Sequence, residues 1–149
     1  MSLSLDYSDA DWESVQLSGS WARERSVVTK KLEPGVTAVS SMRGNSSHQH
    51  NPFLALKRKD ATEHAGEVCG FSLVYSGNFL AQAEVDNYNV LRVMLGINPF
   101  GFRWKLEPGE SFVTPEAVMV WSCEGMNGMS RQFHTLYRNR LARGYWRDR

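Results

Sequence analysis

The chain is expected to be mainly antiparallel β, a sandwich with one C-terminal α-helix. Two patterns carry that expectation. Along most of the 149 residues, short runs of alternating apolar and polar side chains are separated by clusters of Gly, Pro, Asn and Ser. Period two marks strands with one face buried, and frequent turn formers mark their ends. After Gly125 the period changes: Met129, Phe133, Leu136, Tyr137 and Leu141 recur at steps of three and four, which gathers them on one side of a helix. The chain is therefore divided into a sandwich segment, 1–125, and an amphipathic helix with its linker, 126–149. A helix and tail trailing from a sheet have the form of a connection to a further domain.

Residues 12–24 alternate in part, with Val15, Leu17, Gly19 and Trp21 on one side and Gln16, Ser18 and Ser20 on the other. Residues 25–32 form a second strand through Val27, Val28 and Thr29. Glu33-Pro34-Gly35 is a turn, because Pro presets φ at its second position and Gly accepts positive φ at its third. Residues 36–42 form a third strand that delivers the chain into Arg43-Gly44-Asn45-Ser46-Ser47-His48-Gln49-His50-Asn51-Pro52-Phe53. That stretch reads as a structured loop, whose polar groups need water, a neighbouring domain or a ligand. Residues 53–57 are a short apolar strand, Lys57-Arg58-Lys59 an exposed turn, and 59–66 a polar loop.

The strongest strand is 67–76. Val68, Gly70, Ser72 and Val74 alternate there with Cys69, Phe71, Leu73 and Tyr75, so both faces are apolar and the strand is central. Ser76-Gly77-Asn78 then turns as a hairpin into 79–86, and Asn87-Tyr88-Asn89 turns again into 90–95, an antiparallel meander. Lys105-Leu106-Glu107-Pro108-Gly109 repeats Lys31-Leu32-Glu33-Pro34-Gly35 residue for residue. The flanks differ, so one turn solution used twice is preferred to a duplication. Residues 117–122 close the β region. Asn127 or Ser130 is expected to cap the helix start and Gly144 its end, while Arg138, Arg140 and Arg143 suit the negative end of its dipole.

Composition narrows the function classes. The chain is 42% hydrophobic and 22% charged with a formal net charge of +1, an ordinary globular balance that speaks against nucleic acid or an anionic membrane as partner. No apolar run approaches the ~20 residues of a membrane span. Met1-Ser2-Leu3-Ser4-Leu5-Asp6 shows neither a basic nor an apolar leader region, so a cytoplasmic chain is expected, and Met1-Ser2-Leu3 reads as a cloning remnant. Cys69 and Cys123 lie in apolar runs as buried hydrophobes rather than as a disulfide framework.

No catalytic, cofactor-binding or metal-binding residue is assigned. His48 and His50 stand two apart and would point the same way in an extended segment, where a metal could join them. No Cys or acidic residue adjoins them, so the preferred role is structural. His48, His50 and Asn51 would hydrogen-bond the loop to itself or to an adjoining domain, with Phe53 beside them. Asp86, Glu107, Glu110 and Glu116 sit at turns and strand ends and form no motif for a glycosidase-type pair. Trp104, between Arg103 and Lys105, is a sugar-stacking candidate, whereas Trp21 and Trp121 lie on faces expected to point inward.

Five ordered motifs carry a resemblance. RGNSSHQHNPF (43–53), GEVCGFSLVYSGNF (66–79), GINPF (96–100), LEPGESFVTPEAV (106–118) and GMSRQFHTLYRNRLARGYWRD (128–148) resemble the N-terminal domain of the glycoside hydrolase family 36 α-galactosidases. The resemblance covers about residue 12 to the end. It implies part of a galactose-mutarotase-like supersandwich, beginning partway through that domain and stopping about where the catalytic barrel starts. The family's nucleophile and acid/base are barrel aspartates, and no motif here matches theirs, so this chain alone is expected to be inactive. The implied partners are the parent's catalytic barrel, other copies in a homo-oligomer and a galactoside ligand; no cofactor is implied. A stand-alone carbohydrate-binding or interaction module is the competing reading. Sheet edges left uncovered by such a boundary invite self-association.

Overall fold

The computed structural model describes residues 3–147. Nine strands form two antiparallel sheets, followed by one α-helix. The strands are β1 (Leu3–Tyr7), β2 (Trp12–Ser20), β3 (Arg23–Lys31), β4 (Gly35–Ser40), β5 (His50–Arg58), β6 (Val68–Val74), β7 (Phe79–Val85), β8 (Leu91–Ile97) and β9 (Glu116–Ser122). The helix α1 spans Gly125–Leu136 and runs into a π-helical turn, Tyr137–Leu141. The smaller sheet has the order β1-β8-β7-β4 and the larger β3-β2-β5-β6-β9.

Side-chain alternation assigns the layers. Between the sheets lie Trp12, Leu54, Leu56, Phe71, Leu73, Phe79, Ala81, Leu91, Val93 and Leu95, all buried. The opposite face of the larger sheet buries Val15, Ala55, Val68 and Val120 against Met129 and Phe133 of α1. The molecule is thus three layers, sheet on sheet on helix, and β6 is apolar on both faces because it is covered from both sides. The helix can approach because β6 has no side chain at Gly70, where a Cβ would lie 2.5 Å from Met129 Sδ and 2.6 Å from the Phe133 ring.

The expected fold class and strand sequence hold, with corrections that tertiary packing imposes. Ser76-Gly77-Asn78 is not a hairpin turn, because β6 belongs to the larger sheet and β7 to the smaller. The chain passes from one sheet to the other there, and β7 forms its hairpin with β8 instead, in register from Phe79↔Ile97 to Val85↔Leu91. β1, whose five residues are too few to declare a period, pairs with β8.

The inward placement fails for Trp21, whereas Trp121 keeps the inward face, paired with the buried Cys69, without being buried itself. Strand β2 has a register shift between Ser18 and Ser20 and ends there, leaving Trp21 in the β2–β3 turn and 82% exposed. Trp121 is half exposed on β9, the outermost strand of the wider sheet, and its Nε1 donates to Glu67 Oε1 at 2.9 Å. The buried tryptophan is Trp12, 1% exposed, with the Arg58 guanidinium 4.0 Å above its ring.

Lys57-Arg58-Lys59 is not a free turn either. Lys57 and Arg58 end β5, and each base meets an acid: Lys57 with Glu13 at 2.6 Å, Arg58 with Asp9 at 2.6 Å and Glu67 at 3.1 Å, and Lys59 with Asp11. The start of α1 is capped by neither Asn127 nor Ser130. The amides of Gly125, Met126 and Asn127 instead donate to the carbonyls of Gly66, Thr62 and Glu63 at 3.0, 3.1 and 3.0 Å, so a loop satisfies the donors a helix leaves open. Gly125 sits at φ +68 with the Thr62 carbonyl where a Cβ would point, and no other residue fits. Cys69 and Cys123 are free thiols, Cys69 buried and Cys123 exposed.

Candidate functional site

Where α1 leans across the larger sheet, its helical stripe and the strands leave a groove of about 590 Å³. Phe53, Phe133 and Tyr137 give it an aromatic wall: Phe53 meets Phe133 edge-on at 5.9 Å, and Phe133 stacks on Tyr137 at 5.9 Å. Arg25, Asn51, Glu63, Ser72, Asn127, Ser130 and His134 supply its polar groups. Asn51 Oδ1 is buried in the groove region with no hydrogen-bond partner, an acceptor whose desolvation is uncompensated within the chain. Glu63 is the only carboxylate among the described lining residues, so the groove lacks the two carboxyl groups that glycoside hydrolysis requires. What it offers is an apolar wall with a few directional polar groups, the form of a binding surface.

The candidate residues read from the sequence do not all converge. Asn51 and Phe53 line the groove. His50 starts β5 with its Nδ1 3.5 Å from Ser18 Oγ. Its imidazole lies below the ordinary value of 6.5, because burial disfavours the cation and Arg43 and Lys30 stand near. His48 is exposed at the tip of a tight turn closed by the Ser47–His50 bridge, so the two imidazoles do not share the extended segment that a common metal would need. The polar loop is satisfied mostly by its neighbours. Gly44 N donates to Asn78 Oδ1 at 2.7 Å, Ser46 N to Ser76 O at 2.7 Å, and Ser41 Oγ to Asn45 O. Gly19 N donates to Gln49 O at 3.1 Å.

Trp104 is elsewhere, on a strand-free arm between β8 and β9. It is 61% exposed and packs on Phe112 at 4.9 Å, with Phe102 6.0 Å from Phe112. Phe100, Leu106 and Val113 on the same arm are exposed as well. Both copies of the repeated turn place glycine at positive φ, +116 at Gly35 and +88 at Gly109, yet Leu32 is buried and Leu106 is not. The arm has turn chemistry without a core beneath it. The sequence reading missed Ser72, Asn127, Phe133 and His134 as groove residues; the signal lay in Gly70 and Ser72, two small residues in a strand otherwise made of large apolar ones.

The fold is an antiparallel β-sandwich backed by one helix, with a groove between them and an aromatic arm between β8 and β9. The chain belongs to glycosyl hydrolase family 36: residues 1–107 match the model of the family's N-terminal domain, and residues 111–149 match the melibiase model. It is 59% identical over 149 residues to the α-galactosidase AgaA of Geobacillus stearothermophilus, covering 100% of this chain and 20% of that protein. The α-galactosidase Mel36A of Lactobacillus acidophilus is 45% identical over 147 residues, 99% of this chain and 20% of that protein. A crystal structure of a substituted AgaA in complex with raffinose superposes with a TM-score of 0.96 at 60% identity, over 98% of this chain and 20% of that one. The chain therefore spans about a fifth of the length of these relatives. Among the described residues no helix is long and apolar enough to cross a membrane.

Proposed function

We propose that this chain is the non-catalytic N-terminal segment of an α-galactosidase, bracing the catalytic barrel and the oligomer of the parent enzyme. The parent would hydrolyse terminal α-galactosyl groups of raffinose-type sugars with retention. The observation that carries the bracing role is the exposed apolar arm, Phe100, Phe102, Trp104, Leu106 and Val113. It lies where the two family models meet, at residues 107 and 111. A cluster of exposed apolar side chains on a long loop marks an interaction surface. The helical stripe points the same way: Met129 and Phe133 are buried on the sheet, while Tyr137 and Leu141 continue the stripe in partial exposure. On this reading 1–125 is the sandwich and 126–149 the helix and linker toward the barrel. A cytoplasmic location is supported by the two free thiols.

The test is association of the chain with the separately produced barrel of the parent. Trp104→Asp is expected to weaken binding, and Tyr88→Asp, on the β7–β8 turn, to leave it unchanged. Equal loss with both variants, or hydrolysis of an aryl α-galactoside by the 149-residue chain alone, would refute the proposal.

A second reading, a carbohydrate-binding module, is favoured by one observation, the unsatisfied Asn51 Oδ1 beside the aromatic wall of the groove. Titration with raffinose, followed by NMR, separates the two candidate surfaces. Shifts at Asn51 and Phe53 would support the groove, shifts at Trp104 the arm, and no shift at either excludes the module.

A further inference from the structure

We propose that Asn98 couples the aromatic arm to the polar loop 41–47, so that a partner seated on the arm also fixes the loop. The inference rests on the proposed function for the arm as the barrel-facing part, and deepens it by adding a second segment that the same partner orders. Three stretches remote in sequence meet at this residue: the start of the arm at 98–100, the passage between the sheets at 76–79, and the loop that follows β4.

Asn98 follows β8 directly, at the root of the arm, and is 5% exposed. A buried carboxamide is tolerated where its donors and acceptor are engaged, and here they are. Nδ2 donates to Ser41 O at 3.2 Å and to Phe79 O at 3.3 Å, while Oδ1 accepts from Phe100 N at 2.9 Å. The Asn98 amide donates to Asn78 O at 3.0 Å. From these partners the bonding continues into the loop by two routes. Ser41, itself buried, donates from Oγ to Asn45 O and from its amide to Phe79 O at 3.0 Å. Asn78 passes the tie on through its side chain, whose Oδ1 accepts from Gly44 N at 2.7 Å, and Ser46 N closes on Ser76 O at 2.7 Å.

Further out the arm bonds to itself, Phe102 N to Pro99 O at 3.3 Å and Glu110 N to Glu107 O at 3.0 Å. The cluster of Phe102, Trp104 and Phe112 is thus carried on a root that Asn98 orients. A satisfied buried network holds one arrangement, and loss of one member leaves its partners' polar groups unpaired. Such a coupling is reciprocal: what orders the arm orders the loop, and the reverse.

Amide hydrogen exchange of the 149-residue chain, read by NMR, tests the link from both sides. Asn98→Ala is expected to speed exchange at Gly44 and Ser46, whose amides bond to Asn78 and Ser76 rather than to Asn98, by about fivefold or more. Asn78→Ala removes the acceptor of Gly44 and leaves the backbone bond to Asn98, and is expected to speed exchange at Phe100 in the arm. Ala81 and Val93, in the β7–β8 hairpin, should exchange as before, which separates a local link from a general loss of stability. The second variant keeps the test in force if Asn98→Ala does not fold. Effects confined to the substituted side, or an equal rise in the hairpin, overturn the coupling. Exchange is read without the barrel, so that failure is distinct from a failure of the barrel to bind.

Discussion

Replacing Phe133 by Ala asks how firmly helix α1 is fixed to the sandwich. Phe133 is 4% exposed, edge-on to Phe53, stacked on Tyr137 and seated over Gly70. Removing a buried Phe ring forfeits about 1.5–3 kcal/mol of transfer free energy, and the two ring contacts add about 0.5–1.5 kcal/mol each. The larger end of the usual Phe→Ala range, about 5 kcal/mol, includes an empty cavity. Here the ring borders an open groove of about 590 Å³, so water can fill the space and the cavity contribution falls away. The expected loss lies in the lower half of the summed transfer and ring contributions, about 2.5–4 kcal/mol, a drop in melting temperature of about 5–16 °C for a domain of this size. Urea unfolding followed by tryptophan fluorescence gives the stability, and hydrogen exchange shows whether α1 opens first. Tyr137→Ala, at a position 37% exposed, removes the same stack with little burial and should cost about 0.5–1.5 kcal/mol. Equal losses for the two variants, or no accelerated exchange in α1 for Phe133→Ala, would refute the view that this ring anchors the helix.

Three further outcomes are expected. Because the folded chain holds His50 below its unfolded pKa of 6.5, the unfolded chain binds its proton first on acidification. Its contribution to stability is complete above that value and declines as pH falls through it, so His50→Gln should flatten a stability–pH curve in that window; an unchanged curve would count against the buried neutral imidazole. Arg58→Ala removes a cation over Trp12 and two half-exposed carboxylate partners, each worth little in a solvated setting. A loss of about 1–3 kcal/mol in urea titration is expected, with the Asp9 carboxyl, now held below its usual range by Arg58, rising toward it. Gly125→Ala forces a side chain into positive φ and onto the Thr62 carbonyl, so a cost of at least about 2 kcal/mol is expected; a neutral effect on melting temperature would contradict the loop cap of α1.

Strand order along the chain was legible because burial imposes period two wherever a sheet has an inside. The double alternation of 67–76 located the central strand, since only a layer covered on both faces tolerates Val68 and Phe71 in one strand. Which sheet a strand joins was not legible: Ser76-Gly77-Asn78 has the composition of a hairpin turn whether the chain reverses in one sheet or crosses to the other. Trp21 was misplaced because a bulge after Ser18 breaks the alternation that had assigned it a side. Of the candidate site, the sequence picked out Asn51 and Phe53. The groove they line exists only once α1, distant in sequence, settles on Gly70, and no local pattern reports that contact.

The junction between the two family models has a practical consequence for anyone recombining these enzymes. Strand β9 and helix α1 match the melibiase model, yet one completes the larger sheet beside β6 and the other roofs its outer face. A chimaera joined at residues 107–111 would graft a foreign strand and a foreign roof onto the sandwich, and would need Gly70, Val120 and Phe133 to match across the graft. Moving the crossover beyond Leu141 keeps strand, helix and their partners within one parent, and transplants only what the sandwich does not fold around.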